Sequence, residues 1–261
     1  MSIEVRDLRF SYGSGEVLRG VSFTAPSGQL TSVLGPNGVG KSTLFRCLLG
    51  LMKGYSGSIT IDGADTRGMS ARSLAKKVAY IPQSHYPSFN YSVFNMVLMG
   101  TTSQVSILSS PGEKQRKAAE EALERVGVVH LRDKGYTNIS GGERQLVLIA
   151  RALVQDARVL ILDEPTANLD YGNQIRVMEQ LRELTSQGYT VVQSTHNPEQ
   201  AFLFSHNVVA MQEGKVLAEG PPVKVVTEEL MESLYGADIK VCSLYDDRVR
   251  VCIPRSVTET E

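Results

Sequence analysis

Apolar and polar residues alternate along Ile3-Glu4-Val5-Arg6-Asp7-Leu8-Arg9-Phe10, the two-residue period of a half-buried strand. Residues 17–23 read as another strand, and Pro26-Ser27-Gly28 then turns the chain into the apolar run 30–34. A helix is predicted over 42–51, ending around Gly54. Strands follow at 58–61, with a turn at Asp62-Gly63, and at 78–82. Strand signals vanish between about 83 and 156. There, 92–99 reads as a helix and a polar, Ser-rich loop runs to Gly112. Residues 113–126 put Ala118, Ala119, Ala122, Leu123 and Val126 on one helical face, and 141–154 space Leu146, Ile149, Ala150 and Leu153 by three and four. A strand at 159–162, a helix at 173–186, a strand at 189–193 and a short helix after Pro198 restore the alternation. A hairpin pairs 208–211 with 216–218 across Glu213-Gly214, a second is centred near Asp246-Asp247, and 256–261 reads as a loose tail.

Fully apolar strands alternating with helices predict an α/β fold whose mainly parallel sheet is covered on both faces. The helical block reads as a subdomain inserted at about 84–156, and an antiparallel β subdomain accompanies the core. One large domain over 1–236, followed by the hairpin and tail at 237–261, accounts for the pattern. A chain of 261 residues, 42% hydrophobic and 21% charged, buries a core of that size.

Charge and cysteine content narrow the class. The 27 basic and 28 acidic residues nearly cancel, which argues against sequence-independent binding of nucleic acid. The first residues, Met1-Ser2-Ile3-Glu4-Val5-Arg6, form neither the basic nor the apolar region of a secretion signal. No run approaches the roughly 18 apolar residues that cross a bilayer. The expectation is a cytosolic chain that meets a membrane only through a partner. Three cysteines without paired spacing fit a reducing compartment. Cys47 reads as core. Cys242 and Cys252 flank the second hairpin as possible cross-strand neighbours, and two thiols alone make a poor metal site.

Three segments carry chemistry. Gly35-Pro36-Asn37-Gly38-Val39-Gly40-Lys41-Ser42 fits GxxxxGK[ST], and a predicted strand and helix flank it as that motif requires. Gly35, Gly38 and Gly40 let backbone N–H groups approach phosphate oxygens, and the following helix adds the positive end of its dipole. Lys41 then reaches the β- and γ-phosphates and Ser42 ligates Mg²⁺. Val159-Leu160-Ile161-Leu162-Asp163-Glu164 ends a buried strand in two carboxylates, Asp163 beside the metal and Glu164 as general base for the attacking water. Between the two lies Ile139-Ser140-Gly141-Gly142-Glu143-Arg144-Gln145, ahead of an apolar helix. Ser140 is a good helix cap, and small residues at a helix start also admit a phosphate.

The order of these elements resembles that of the ATP-binding cassette (ABC) ATPases, and the resemblance covers nearly the whole chain. It implies a P-loop NTPase core and the cofactors ATP and Mg²⁺. It also implies ATP contacts from Asn37 and Thr43. Tyr12 sits where the family stacks an aromatic on adenine. Gln83, after Ile81-Pro82, looks like the Q-loop glutamine that senses Mg²⁺ and water, and Ala167-Asn168-Leu169-Asp170 is similar to the D-loop. His196, in Ser194-Thr195-His196, looks like the switch histidine at the γ-phosphate. Ser140, Gly141 and Gly142 match the signature motif, which begins with Leu in the family and here with Ile139. Where the family usually has Gln after the glycines, this chain has Glu143, which can still bond the ribose.

The resemblance also implies a shared site. The signature faces the γ-phosphate of a second copy, so two chains stack head to tail around two ATP. Integral-membrane permease subunits and a substrate-binding protein are the further partners implied, with no nucleic acid, at the cytoplasmic face of the inner membrane. The groove near Gln83, with residues 85–100, is expected to receive the permease. Tyr86, Phe89, Tyr91 and Phe94 divide evenly between that groove and local core. Ala71-Arg72-Ser73-Leu74-Ala75, Leu169-Asp170-Tyr171-Gly172-Asn173-Gln174 and Ser194-Thr195-His196-Asn197-Pro198 are similar to importers of metal chelates such as iron–siderophores, haem, cobalamin and molybdate. That group commonly has Arg where this chain has Thr101, and the Ser-rich loop differs too. One rival is an ABC ATPase on a soluble scaffold such as iron–sulfur assembly. A monomeric P-loop kinase or GTPase leaves the Ser-Gly-Gly segment and His196 unexplained.

Overall fold

The computed structural model describes residues 1–83, 87, 89–104 and 110–257. Expectations for His85, Tyr86, the middle of the Ser-rich loop and the last four residues of the tail lie outside that range. Two compact units divide the chain: Met1–Gly68 with Thr185–Glu261, and Met69–Leu184.

The first unit opens with an antiparallel sheet of order β2-β1-β4-β5, formed by β1 (Ile3–Tyr12), β2 (Gly15–Ala25), β4 (Ser56–Ile61) and β5 (Ala64–Asp65). The apolar residues of β1 are not evenly spaced: Ile3 and Val5 are buried, then Leu8 and Phe10. One extra residue separates the pairs, and the ladder accommodates it with register shifts at Val5/Leu8 against β2 and at Arg6/Arg9 against β4. Asp7 takes a left-handed φ of 42° there, the mark of a bulge. Gly57 on β4 faces the bulge; a Cβ on it would overlap the carbonyl oxygens of Arg6 and Asp7.

Between β2 and β4 in the chain come β3 (Leu30–Leu34) and α1 (Lys41–Leu48). The remainder of the unit is β8 (Thr190–Thr195), α7 (Pro198–Phe204), β9 (Asn207–Gln212), β10 (Lys215–Gly220), α8 (Pro222–Val225), α9 (Glu228–Tyr235), β11 (Ile239–Leu244) and β12 (Val249–Pro254). β3 runs parallel to both β8 and β9, and β9 turns back antiparallel into β10. Every residue of β3 and β8 is buried, as expected of strands covered on both faces. Some of the polar members are paired inside: Gln193 Nε2 donates to Ser32 Oγ at 2.9 Å, and Ser32 Oγ lies 2.6 Å from Ser205 Oγ. Cys47 is fully buried in α1, and burial pushes its thiol up to about 11. It is a core residue, as the sequence suggested.

In the second unit, α2 (Ala71–Ala75) leads into β6 (Val78–Ile81), which pairs in parallel with β7 (Val159–Leu162). Between them lie α3 (Val93–Leu98), α4 (Glu113–Arg125) and α5 (Gly141–Leu153); α6 (Tyr171–Ser186) follows β7. The predicted face of α4 is realised in Ala119, Ala122, Leu123 and Val126, with Ala118 at its margin. In α5 the burial is wider than the spacing indicated. Val147, Leu148 and Ala152 join Ile149, Ala150 and Leu153, whereas Leu146 is only half-buried. A helix packed on more than one side needs apolar residues outside a single stripe.

The C-terminal hairpin forms as predicted, with one correction. Val241 pairs with Cys252 and Cys242 with Val251, so the two thiols are one register apart and point to opposite faces. Both are free. α2, α8 and α9 were not anticipated, although Thr227, Glu228, Glu229 and Gly236 supply cap, acidic first turn and left-handed terminus for α9.

Candidate functional site

The glycine-rich loop joins the carboxyl end of β3 to α1, in the first unit. Gly40 caps the helix at φ 108°, a conformation closed to other residues, and contributes no side chain to the cap. The orphan N–H groups of the first turn are therefore not capped by that residue, and no acidic residue stands in that turn. Lys41 is buried, and its Nζ donates to the carbonyls of Gly35 at 2.6 Å and Pro36 at 3.0 Å. An ammonium held by its own loop is pre-aimed along the concavity that the loop encloses. Asn37 and Ser42 are exposed and Thr43 is half-buried.

His196 belongs to the same unit. It follows β8, the parallel neighbour of β3, with Leu34 opposite Thr195. Gly35 N–H donates to the Thr195 carbonyl at 3.2 Å, so the loop's first residue is bonded to the residue before His196. His196 itself is exposed. Both segments leave carboxyl ends of parallel strands, where α/β sheets bind ligands. Tyr12 ends β1 with its ring 45% exposed and set edge-on to Phe10 at 5.0 Å, leaving a ring face for stacking.

The second unit holds the carboxylates. Asp163 N–H donates to the Ile81 carbonyl at 3.0 Å, carrying the β6–β7 ladder one residue past β7. Asp163 and Gln83 thus emerge from the carboxyl ends of adjacent strands. Glu164 follows at φ 43°, a left-handed backbone that costs a non-glycine residue roughly 1–2 kcal/mol. Such strain turns the side chain out of the strand's path, and it clusters at functional sites. The exposed hydroxyl of Ser42, the amide of Gln83 and the carboxylate of Asp163 are hard oxygen donors of the kind that suit Mg²⁺.

The Ser-Gly-Gly segment is a helix start in full. Ser140 Oγ accepts from Glu143 N–H at 3.3 Å, and Glu143 Oε2 accepts from Ser140 N–H at 2.7 Å, closing a capping box on α5. Hydrogen bonding to the Ser140 backbone N–H and to the Ser140 side chain holds the Glu143 carboxyl below its ordinary range. The cap leaves Gly141 exposed, and the segment after β7 packs behind the buried Gly142. A Cβ on Gly142 would overlap the Asn173 side chain, and one on Gly141 would lie 3.2 Å from Leu169 Cδ2. Asn173 is pinned in turn: its N–H and Nδ2 donate to the two Asp170 carboxylate oxygens at 2.9 and 2.6 Å, lowering the Asp170 pKa. Gln174 Nε2 donates to the Leu169 carbonyl at 3.0 Å.

The structure therefore groups Tyr12, residues 35–43 and His196 in one unit. Gln83, residues 140–143, Asp163, Glu164 and Asp170 belong to the other. Asn173 does not stand out in the sequence as a site residue, because its importance lies in a contact across thirty residues of chain. Of the aromatic set, Phe94 is core, buried beneath the Arg132 guanidinium at 5.1 Å. Phe89 is 68% exposed and meets Tyr91 edge-on at 6.0 Å, so those two belong to the surface.

Comparisons with known proteins agree on one family. The family model described as ABC transporter matches residues 18–167. An uncharacterised ABC transporter ATP-binding protein of Haemophilus influenzae is 37% identical over 235 residues, 90% of this chain and 89% of that one. The ferric enterobactin transport ATP-binding protein FepC of Escherichia coli K12 is 33% identical, across 93% of this chain and 89% of its own. A solved inward-facing metal-chelate type ABC transporter superposes with a TM-score of 0.87 at 29% identity, covering 98% of both chains.

Proposed function

The chain belongs to the ABC transporter family, and on that premise we propose that it is the ATP-hydrolysing subunit of an importer for metal chelates, of the iron–siderophore, haem, cobalamin or molybdate kind. The observation that carries this reading is the Ser140–Glu143 capping box. It presents a helix start of two glycines, Gly141 exposed and Gly142 buried against Asn173, in a chain whose own phosphate loop lies elsewhere in the sequence. A monomeric nucleotide enzyme has no use for a second phosphate-binding helix start; a pair of chains sandwiching two ATP has.

Each residue then has a role. Tyr12 stacks on adenine, and the backbone of Gly35, Gly38 and Gly40, with Asn37 and Thr43, cradles the phosphates. Lys41 neutralises the β- and γ-phosphates. Ser42, Gln83 and Asp163 would hold Mg²⁺, which would supply positive charge against the charge that develops on the phosphates during transfer. Glu164 orients and deprotonates the attacking water, and His196 contacts the γ-phosphate. Ser140, Gly141, Gly142 and Glu143 engage the nucleotide of the second copy, with Asp170 at the junction. ATP then closes the pair and hydrolysis releases it, a two-state element biased by ligand. The motion is passed to permease subunits in the inner membrane, met from the cytoplasmic side, with a substrate-binding protein delivering cargo. Among the described residues no helix is long and apolar enough to cross a membrane.

The test is reconstitution. The full chain is co-expressed with candidate permease subunits, and the complex is placed in vesicles with candidate binding proteins. ATP-dependent accumulation of a ferric siderophore, haem or cobalamin is the expected result. Recovery only with soluble scaffold proteins, and no permease, would defeat it.

A further inference from the structure

The segment carrying His196 is held from the C-terminal side of the chain. Within the segment, Asn197 N–H donates to Thr195 Oγ1 at 3.1 Å, and Asn197 Oδ1 caps α7 by accepting from Gln200 N–H at 2.9 Å. The carbonyl oxygen of His196 accepts from the Tyr235 hydroxyl at 2.8 Å. Tyr235 is the last residue of α9 and rests on a buried cluster that includes Leu34, Phe202, Met231 and Leu234. Burial pushes its hydroxyl above the usual tyrosine range, so it remains a proton donor throughout the neutral pH region.

The hairpin grips helix α7, next in the chain. Cys252 N–H donates to Glu199 Oε1 at 3.2 Å. The Arg250 guanidinium lies 5.3 Å from the Phe202 ring centroid while donating to the carbonyls of Val223 at 2.8 Å and Val226 at 2.6 Å. Arg255 ties the end of β12 back to α9 through Glu228 and Glu232, and to Asp238 at 2.7 Å. Bonds from α9 and from β12 therefore converge on the stretch 196–202, and none of the nucleotide-binding roles uses them.

We propose that residues 228–255 form a positional clamp on the switch segment, in which Tyr235 is the positioning residue for His196. The proposal rests on the reading of His196 as the γ-phosphate contact. A side chain that must meet a transferring phosphoryl group loses much of its effect when misplaced by about 1 Å. None of the hydrogen bonds described for the phosphate loop involves the Tyr235 hydroxyl. The deficit must therefore fall on turnover and spare affinity.

The experiment measures ATP turnover by the full chain, alone and with its permease, for Tyr235→Phe, His196→Ala and the double variant. Tyr235→Phe keeps the ring in its cluster and removes only the hydroxyl. It is expected to lower kcat about 5-fold, the scale of one lost hydrogen bond, with KM for ATP unchanged. His196→Ala lowers kcat further, and the double variant falls no lower than His196→Ala. Normal turnover by Tyr235→Phe beside an inactive His196→Ala removes the clamp and leaves the histidine's role standing. Normal turnover by His196→Ala removes that role, and the clamp with it. A full additional loss in the double variant gives Tyr235 an independent effect and overturns the proposal. So does a kcat loss matched by an equal loss of folded protein in a thermal melt. Arg250→Ala loosens the hairpin side without touching Tyr235 and is expected to lower kcat in the same sense; unchanged kcat there excludes the hairpin from the clamp.

Discussion

Single side chains decide whether ATP is bound, aligned or cleaved, and their failures separate. Lys41 is buried against its own loop carbonyls, so Lys41→Ala removes a pre-aimed positive charge and should raise the Kd for ATP at least about tenfold. Equilibrium binding of a fluorescent ATP analogue checks this; unchanged affinity contradicts the role. Glu164→Gln keeps size and hydrogen bonding and loses only the base, so ATP binding persists while turnover falls by two orders of magnitude or more, on the order of general-base effects. A normal rate would show that Glu164 is not the base. Residues of this kind could be nominated from the sequence because their chemistry is local: glycines, a lysine and carboxylates at fixed spacing. Tyr235 and Asn173 were not, because a tyrosine ending a helix and an asparagine after a turn acquire meaning only from the carbonyl or glycine that tertiary folding brings to them.

Elements show the same division between local and distant causes. Strands β3, β7 and β8 were readable as uninterrupted apolar or small-residue runs, and α4 as a clean stripe. β1 was readable as a strand, but the period-two reading passed over the extra residue between Val5 and Leu8 that makes the bulge. What the alternation did not reveal is the partner that admits it. Gly57 has φ 82° and no space for a Cβ over the bulged backbone, so Gly57→Ala should destabilise by more than ~1 kcal/mol. Urea denaturation with unchanged m-value measures it, and stability equal to the parent would mean the bulge relaxes freely. The breadth of burial in α5 was hidden because a stripe reports one packed face. Val147 and Leu148 face neighbours that a one-dimensional pattern does not contain. α9 went unread despite good caps, since its eight residues give a short stripe.

At the scale of the whole molecule, the chain leaves one compact unit after Gly68 and returns to it at Thr185, distributing the candidate residues over both. Glu164→Gln should therefore change the assembly as well as the rate. With ATP it is expected to elute at twice the protomer mass, and a single-protomer mass would count against the sandwich. The fold class was legible at this scale because the order of strands and helices is itself a topological statement. The opposite facing of the two hairpin thiols, unremarkable for stability, has a practical consequence for tracking that assembly. Cys252 lies against packed side chains, with its thiol pushed up to about 11, and Cys47 is sealed in the interior. Cys242 is turned to the other side, so a maleimide dye should attach there first, without any engineered cysteine. Two dyes, one per copy, then make a spectroscopic ruler whose reading should lengthen and shorten once for each round of fuel consumed.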